Sequence, residues 1–128
     1  MQKRVLVVSH DSVLRDSRSA LLLHAGYAVS AVGNDEDALA LLAKNTFDVV
    51  LIGRNSHWRE QALDERVRAL YPGQVIVKIA QAWEPASVFC SRITDSVPAN
   101  VLAAVQEALL GGVPRWADGA GAAALNEN

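Results

Sequence analysis

Ser9, His10 and Asp11 stand in a row directly after the apolar run at 5–8. A hydroxyl, an imidazole and a carboxylate are the groups of a nucleophilic triad, which requires a chain of hydrogen bonds between them. Adjacent residues at a strand end point in different directions, so three consecutive residues do not build such a chain. No other pair of nucleophile and base is credible in the sequence. We therefore predict that the protein is not an enzyme.

The histidines and the cysteine give no sign of a metal centre. His10, His24 and His57 lack metal-ligand spacing with any cysteine or paired acid, so we expect no structural zinc. The single cysteine, Cys90, excludes an internal disulfide framework and is typical of a reducing compartment. We expect neither a metal nor a cofactor.

Length and composition are those of one ordinary globular domain. The chain has 128 residues, 51% of them hydrophobic and 20% charged, with a net charge of −2. A single core commonly serves roughly 100 to 150 residues, so we expect one domain over 1–112 and a flexible, Gly- and Ala-rich tail over 113–128. The charge gives no general attraction to nucleic acid or lipid, so we expect neither partner. The apolar run at 5–8 is too short for a secretory signal and no stretch approaches the ~20 apolar residues of a membrane helix, so we expect a cytoplasmic location.

Strand-like and helix-like segments alternate along the chain. Five segments are strand-like, four of them apolar and the last more polar: 3–9, 27–32, 47–52, 75–79 and 91–94. Five segments have helical periodicity or helix-start signals: 11–25, 34–45, 57–70, a short one near Pro85, and 98–111. This order predicts an α/β fold with a doubly wound, five-stranded parallel sheet, helices on both faces and a shortened fourth helix.

The first predicted helix carries apolar residues on a helical period. These positions are expected to face the core: Val13, Leu14, Leu21, Leu22 and Ala25.

Several stretches are similar in kind to the framework of a known family. They are Lys-Arg-Val-Leu-Val-Val at 3–8, Leu-Leu-Leu-His-Ala-Gly-Tyr at 21–27, Gly-Asn-Asp-Glu-Asp-Ala-Leu at 33–39, Phe-Asp-Val-Val-Leu-Ile at 47–52, and Arg-Ala-Leu-Tyr-Pro at 68–72 followed by Val-Ile-Val at 75–77. Over residues 3–111 the chain resembles a response regulator receiver domain of the CheY-like, flavodoxin-like type. The resemblance implies a role in bacterial two-component or phosphorelay signalling.

The functional positions of that family hold different residues here. The acidic pair that holds Mg²⁺ falls on Ser9 and His10, and the phosphoacceptor aspartate falls on Gly53. The switch hydroxyl falls on Ile79, and the lysine that pairs with the phosphoryl group falls on Thr94. Phosphoryl transfer needs a carboxylate nucleophile and a hard cation held by oxygen ligands. The resemblance therefore implies a degenerate pseudo-receiver that is neither phosphorylated nor loaded with Mg²⁺.

Two interpretations of the degenerate pocket remain open. It is expected to be neutral to weakly basic, with His10 and Arg54 at the strand ends. An open parallel sheet leaves a crevice at the carboxyl ends of its strands, so a module that senses a small anion or a nucleotide is one alternative. The other is a pocket filled by side chains.

The connection from Ile79 to Thr94 is close to the dozen-residue minimum of a parallel crossover. In receivers, the surface that follows this crossover contacts partners. Trp83, Val88 and Phe89 are candidate hydrophobic anchors for a protein partner or for self-association, or they cap the core instead. Our leading hypothesis is an atypical receiver that acts through protein contacts without phosphorylation.

Overall fold

The computed structural model describes residues 2–53, 62–80 and 88–111. The described strands are β1 Arg4–Val8, β2 Ala28–Val32, β3 Val49–Ile52, β4 Ile76–Ile79 and β5 Arg92–Thr94. The described helices are α1 Ser12–His24, α2 Asp35–Lys44, α3 Leu63–Leu70 and α4 Pro98–Gly111. Among these residues, no helix is long and apolar enough to cross a membrane.

The strands form one five-stranded sheet in the order β2-β1-β3-β4-β5, and every pairing is parallel. All strands therefore end at the same edge of the sheet. The chain moves outward from β1 to β2 and then returns to the other side of β1 for β3, so the strand order reverses between β1 and β3. Open α/β sheets place their crevice at this reversal. The predicted fold class is confirmed.

Both faces of the sheet are covered by helices. Val5 and Val7 of β1 belong to the core shared with α1 and α4, whereas Leu6 and Val8 belong to the core shared with α2 and α3. Alternate residues of a strand point to opposite faces, so a strand buried on both sides must be apolar throughout. This requirement explains the continuous valine-rich runs in the sequence.

Helix α1 buries a different stripe from the one its apolar residues indicate. Val13 is 70% exposed and Leu14 is 43% exposed, while Arg18 and Leu22 are the buried residues of the helix. Arg18 and Leu22 lie one turn apart, on the same side of the helix, and Val13 lies far from that side. The prediction that Val13, Leu14 and Ala25 face the core was wrong. Val13 lies on the other side of the helix, and Leu14 and Ala25 lie at its two ends.

Helix α3 begins later than the sequence predicts. Ala62 has extended backbone, with φ −67° and ψ 154°, and makes no side-chain capping hydrogen bond, so α3 begins at Leu63. Other predicted features lie outside the described residues: Arg54, residues 57–61, Trp83, the short helix near Pro85 and the tail 113–128.

Candidate functional site

The site is built where β1 and β3 end side by side. Val8 pairs with Ile52 in the parallel register, and the backbone N–H of Gly53 donates to the Val8 carbonyl oxygen at 2.8 Å. Ser9 and Gly53 therefore leave the sheet as neighbours, and both are buried. A Cβ atom added to Gly53 would lie 3.4 Å from the Ser9 Cβ. The structure brings these two predicted site residues together.

Arg18 covers Gly53. A Cβ atom on Gly53 would lie 2.8 Å from the Arg18 Nη1 and 3.1 Å from the Val8 carbonyl oxygen. Real Cβ atoms almost never approach a heavy atom within 3.0 Å. A side chain at position 53 would therefore force the end of the Arg18 side chain to move, and it would also crowd the Val8 carbonyl oxygen, which belongs to the backbone and moves less readily.

The Arg18 guanidinium is a buried cation with weak compensation. The residue is 7% exposed, and its Nη1 donates to the Ser9 Oγ at 3.5 Å, which is long for a hydrogen bond. No carboxylate oxygen of the described residues lies within 4.0 Å of it. Burial lowers the pKa of Arg18 from its ordinary value, and the charge of Asp11 acts in the opposite direction. A guanidinium still remains charged at neutral pH.

A second arginine of α1 lies over the neighbouring strand end. The Arg15 Nη1 donates to the Ser9 carbonyl oxygen at 3.0 Å. A Cβ atom on Gly33, which follows β2, would lie 2.7 Å from this Nη1. Two guanidiniums from one helix therefore lie at the carboxyl edge, each against a glycine. This part of the edge is more basic than the sequence analysis expected.

The remaining predicted positions contribute little to this cluster. His10 is exposed, and its Nε2 lies 3.9 Å from the Asp35 Oδ1 at the start of α2. The Ile79 side chain is 2% exposed and packs in the hydrophobic core beside α4. Thr94 is paired with Ile79 in the sheet, and its Oγ1 donates to the Asp95 carbonyl oxygen at 3.2 Å.

The row of Ser9, His10 and Asp11 does not form a chain of hydrogen-bonded side chains. The Asp11 Oδ1 accepts from the backbone N–H groups of Val13 and Leu14, at 2.9 and 3.1 Å, and so caps helix α1. The Ser9 hydroxyl donates to the Asp11 backbone carbonyl oxygen at 3.3 Å.

A further charged pair lies near the same edge. Lys78, on β4, has its Nζ 3.7 Å from the Oδ2 of Asp64, whose side chain is 2% exposed. In the sheet Lys78 pairs with Ile52, the residue before Gly53. The sequence analysis did not identify this lysine. In the part of the chain that the structure describes, no group of three or more His, Cys, Asp or Glu residues could hold a metal ion.

Of the predicted partner anchors, the structure describes Val88 and Phe89. Val88 is 66% exposed. Phe89 is half-buried, and its carbonyl oxygen accepts from the Arg68 Nε at 3.0 Å, which ties the end of α3 to the segment before β5. Burial lowers the pKa of Arg68. Their role as contact residues stays a prediction.

Arg18 is the residue of this candidate site that sequence reasoning missed. A signal was present, because Arg18 lies four residues before Leu22 and thus on the buried stripe of an amphipathic helix. Arginine is almost never fully buried unless it is paired. A charged residue at such a position, together with glycines where two strands end, indicates a guanidinium that packs against the sheet edge.

Comparison with known proteins identifies the fold. No protein-family model matches the sequence, and no curated protein matches it. Solved structures do match. A chemotaxis response regulator of Vibrio cholerae, CheY4, is 22% identical with a TM-score of 0.74, and the match covers 84% of this chain and 99% of that one. A CheY-like response regulator receiver domain protein of Methanospirillum hungatei is 23% identical with a TM-score of 0.75, covering 88% and 97%.

A putative response regulator of Chloroflexus aurantiacus is 21% identical with a TM-score of 0.75, and the match covers 86% of this chain and 99% of that one. The protein therefore has the fold of the CheY-like receiver domains. Identities at this level show the shared fold and carry no information about the site, since many functions can be built on one fold.

The contact between Gly53 and Arg18 predicts an unusual cost for the smallest substitution. We expect Gly53→Ala to lower the free energy of unfolding by about 1 to 3 kcal/mol, because the new Cβ crowds the backbone carbonyl of Val8 and also forces the guanidinium to shift. Gly73→Ala is the matched control. Nothing lies within 4 Å of a Cβ atom at that position and its φ is not positive, so stability should be unchanged or raised by up to about 1 kcal/mol.

Chemical denaturation of the single and double variants measures these effects. In an Arg18→Ala background the cost of Gly53→Ala should fall without disappearing, since the contact with the Val8 carbonyl remains. An identical cost in both backgrounds would show that the guanidinium does not fill this space.

Proposed function

We propose that the protein is a pseudo-receiver that works in a two-component or phosphorelay pathway of the cytoplasm without being phosphorylated. It acts through constitutive contacts with a protein partner or with a second copy of itself, and it is neither an enzyme nor a binder of nucleic acid or membranes. One observation carries the proposal: a buried guanidinium fills the space above Gly53, where the resemblance would place the acceptor carboxylate.

The chemistry of the site supports this proposal in two ways. Gly53 offers no carboxylate oxygen to attack a phosphoryl donor. The residues also do not fit Mg²⁺, which prefers several oxygen ligands in octahedral geometry. Ser9 offers one hydroxyl, which donates to the Asp11 carbonyl, and the positive charge of Arg18 repels a divalent cation.

The position of Ile79 favours constitutive action. A receiver switches when a hydroxyl after the fourth strand moves to meet the phosphoryl group. Here the corresponding side chain is an isoleucine buried in the core beside α4, which has no hydrogen bond to exchange. Any partner surface would therefore be present in the resting protein.

The exposed aliphatic residues around strand β5 support a protein-binding surface at this edge of the sheet. It is the last strand in the sheet order and has three residues. Exposed aliphatic side chains precede it, lie on it and follow it: Val88 is 66% exposed, Ile93 43% and Val97 51%. Aliphatic residues exposed at a sheet edge are typical of a surface that binds another protein.

Phosphorylation is tested directly on the intact chain. After incubation with acetyl phosphate and Mg²⁺, we expect the intact mass to be unchanged, because no acceptor carboxylate is present at the site. Beryllofluoride should cause no Mg²⁺-dependent rise of the thermal midpoint, whereas an acceptor site would be stabilised by ligation. A covalent phosphoryl adduct would contradict the proposal.

Gly53→Asp sharpens this test. The new carboxylate would pair with Arg18, so we expect Gly53→Asp to remain unresponsive to beryllofluoride with Mg²⁺. If beryllofluoride with Mg²⁺ instead raised the thermal midpoint of Gly53→Asp, the missing carboxylate alone would explain the lack of response, and Arg18 would impose no barrier.

The contact surface is tested with an exposed residue, so that folding is not at risk. We expect Val88→Asp to weaken self-association or partner capture about tenfold or more, because a charge replaces an apolar anchor at the interface. Leu23→Asp is the matched control, since Leu23 is 56% exposed on α1. Sedimentation and pull-down measure the effect, and equal behaviour of the two variants would exclude Val88 from the interface.

A further inference from the structure

A groove lies at the amino edge of the sheet, where β3 and β4 begin, and thus at the edge opposite to Gly53. Its volume is about 540 Å³, and it lies between the segment that joins α2 to β3 and the segment that joins α3 to β4. Phe47, Tyr71 and Val75 line it, together with Leu70, which is 61% exposed. Sites that hold organic groups commonly have roughly 300 to 1,000 Å³. We call this feature the amino-edge groove.

Hydrogen bonds hold the two walls of the amino-edge groove in place. The Gln74 Nε2 donates to the carbonyl oxygens of Phe47 and Val75, at 3.1 and 3.2 Å, and so bridges the segments before β3 and β4. The Tyr71 N–H donates to the Val67 carbonyl oxygen at 2.7 Å, which closes the end of α3. The groove is therefore formed by the fold itself, and an occupant has little to rearrange.

Helix α4 ends close to the amino-edge groove. A Cβ atom on Gly111, the last residue of α4, would lie 3.5 Å from the Nη2 of Arg92, the first residue of β5. Val75 lines the groove and packs against the same hydrophobic core as Leu109 of α4. The chain therefore leaves α4 at the amino edge of the sheet, beside the groove.

The chain that follows α4 is long enough to reach the groove. It reads Gly-Val-Pro-Arg-Trp-Ala over 112–117, outside the described residues, and Trp116 is the one aromatic residue after Gly111. Five extended residues span at most ~17 Å. Neighbouring strands lie about 4.8 Å apart, so the starts of β4 and β3 are about 5 and 10 Å from the start of β5 in the sheet order.

We propose that Trp116 binds in the amino-edge groove of its own chain and covers Leu70 and Tyr71. A tryptophan side chain buries about 150 to 250 Å² and is a strong apolar anchor. Because a short linker joins it to α4, its effective concentration at the groove is on the order of millimolar. The groove should therefore bind this segment in preference to a second copy at micromolar concentration.

This contact goes beyond the proposed function, because it requires neither a signalling partner nor a phosphoryl group. It also changes the expectation for the tail over 113–128, since the residues around Trp116 would be held against the sheet by one aromatic anchor. Binding there would tie the end of α4 to the segments before β3 and β4.

Nuclear magnetic resonance of the full chain tests the contact directly. We expect nuclear Overhauser contacts between the Trp116 indole and the Leu70 methyl groups, with the indole resonance assigned by its loss in Trp116→Phe. Trp116→Ala should shift the amide resonances of Leu70, Gly73 and Gln74, whereas Leu125→Ala, in the same tail, should leave them unchanged. Absence of indole contacts, with equal spectra for the two alanine variants, would overturn the proposal.

A matched pair of exposed positions tests the groove side. Leu70→Asn removes apolar surface from the groove, so we expect it to abolish the indole contacts and the slow exchange of the Trp116 indole N–H with solvent. Val13→Asn is the control, because Val13 is 70% exposed at the start of α1, on the opposite edge of the sheet. Equal indole exchange in Leu70→Asn and in the unaltered protein would count against the contact.

A mixture of isotopically labelled and unlabelled chains identifies the chain that supplies the tryptophan. We expect the Trp116 to Leu70 contacts only within one chain, and they should persist on dilution. Contacts between labelled and unlabelled chains that vanish on dilution would assign the groove to a second copy and overturn the proposal. None of these readouts depends on phosphorylation, so failure of this contact is distinguishable from failure of the pseudo-receiver proposal.

Discussion

The contact between the Arg18 guanidinium and Gly53 constrains the whole carboxyl edge of the sheet. The guanidinium approaches so closely that a Cβ atom on Gly53 would stand 2.8 Å from Nη1. The approach depends on the register of β1 and β3, which sets Ser9 and Gly53 side by side, and on α1 turning Arg18 toward the sheet, one turn before Leu22. Arg15 repeats the arrangement over Gly33.

This arrangement reverses the charge expected from the resemblance. The receiver framework would carry carboxylates where β1 and β3 end, and their repulsion would favour a divalent cation. Here a hydroxyl and a glycine occupy those ends, and two guanidiniums lie over them. A positive, partly dehydrated edge favours anions and disfavours Mg²⁺. The described residues at these two strand ends therefore carry guanidiniums in place of the carboxylates that the resemblance would imply.

The framework tolerates this change because stability and site chemistry involve different residues. The two cores on either side of the sheet consist of aliphatic residues from strands and helices, such as Val5 and Leu6 of β1. Their burial depends on alternation and volume, not on the residue at the strand tip. Proteins of about 20% identity can thus share the architecture, and function has to be argued from the site itself.

The sequence by itself determined the class of fold, the order of strands and helices, and the glycine at the end of β3. These features depend on local patterns: continuous apolar runs for two-sided strands, helical periods and turn residues. It could not determine which groups surround Gly53. The guanidinium that does so comes from a distant helix, and its position depends on how α1 rotates and packs against the sheet. The structure also exposes Val13 and Leu14, which sequence periodicity had assigned to the core. Tertiary packing decided both outcomes, because burial is a property of the assembled layers and not of the helix alone.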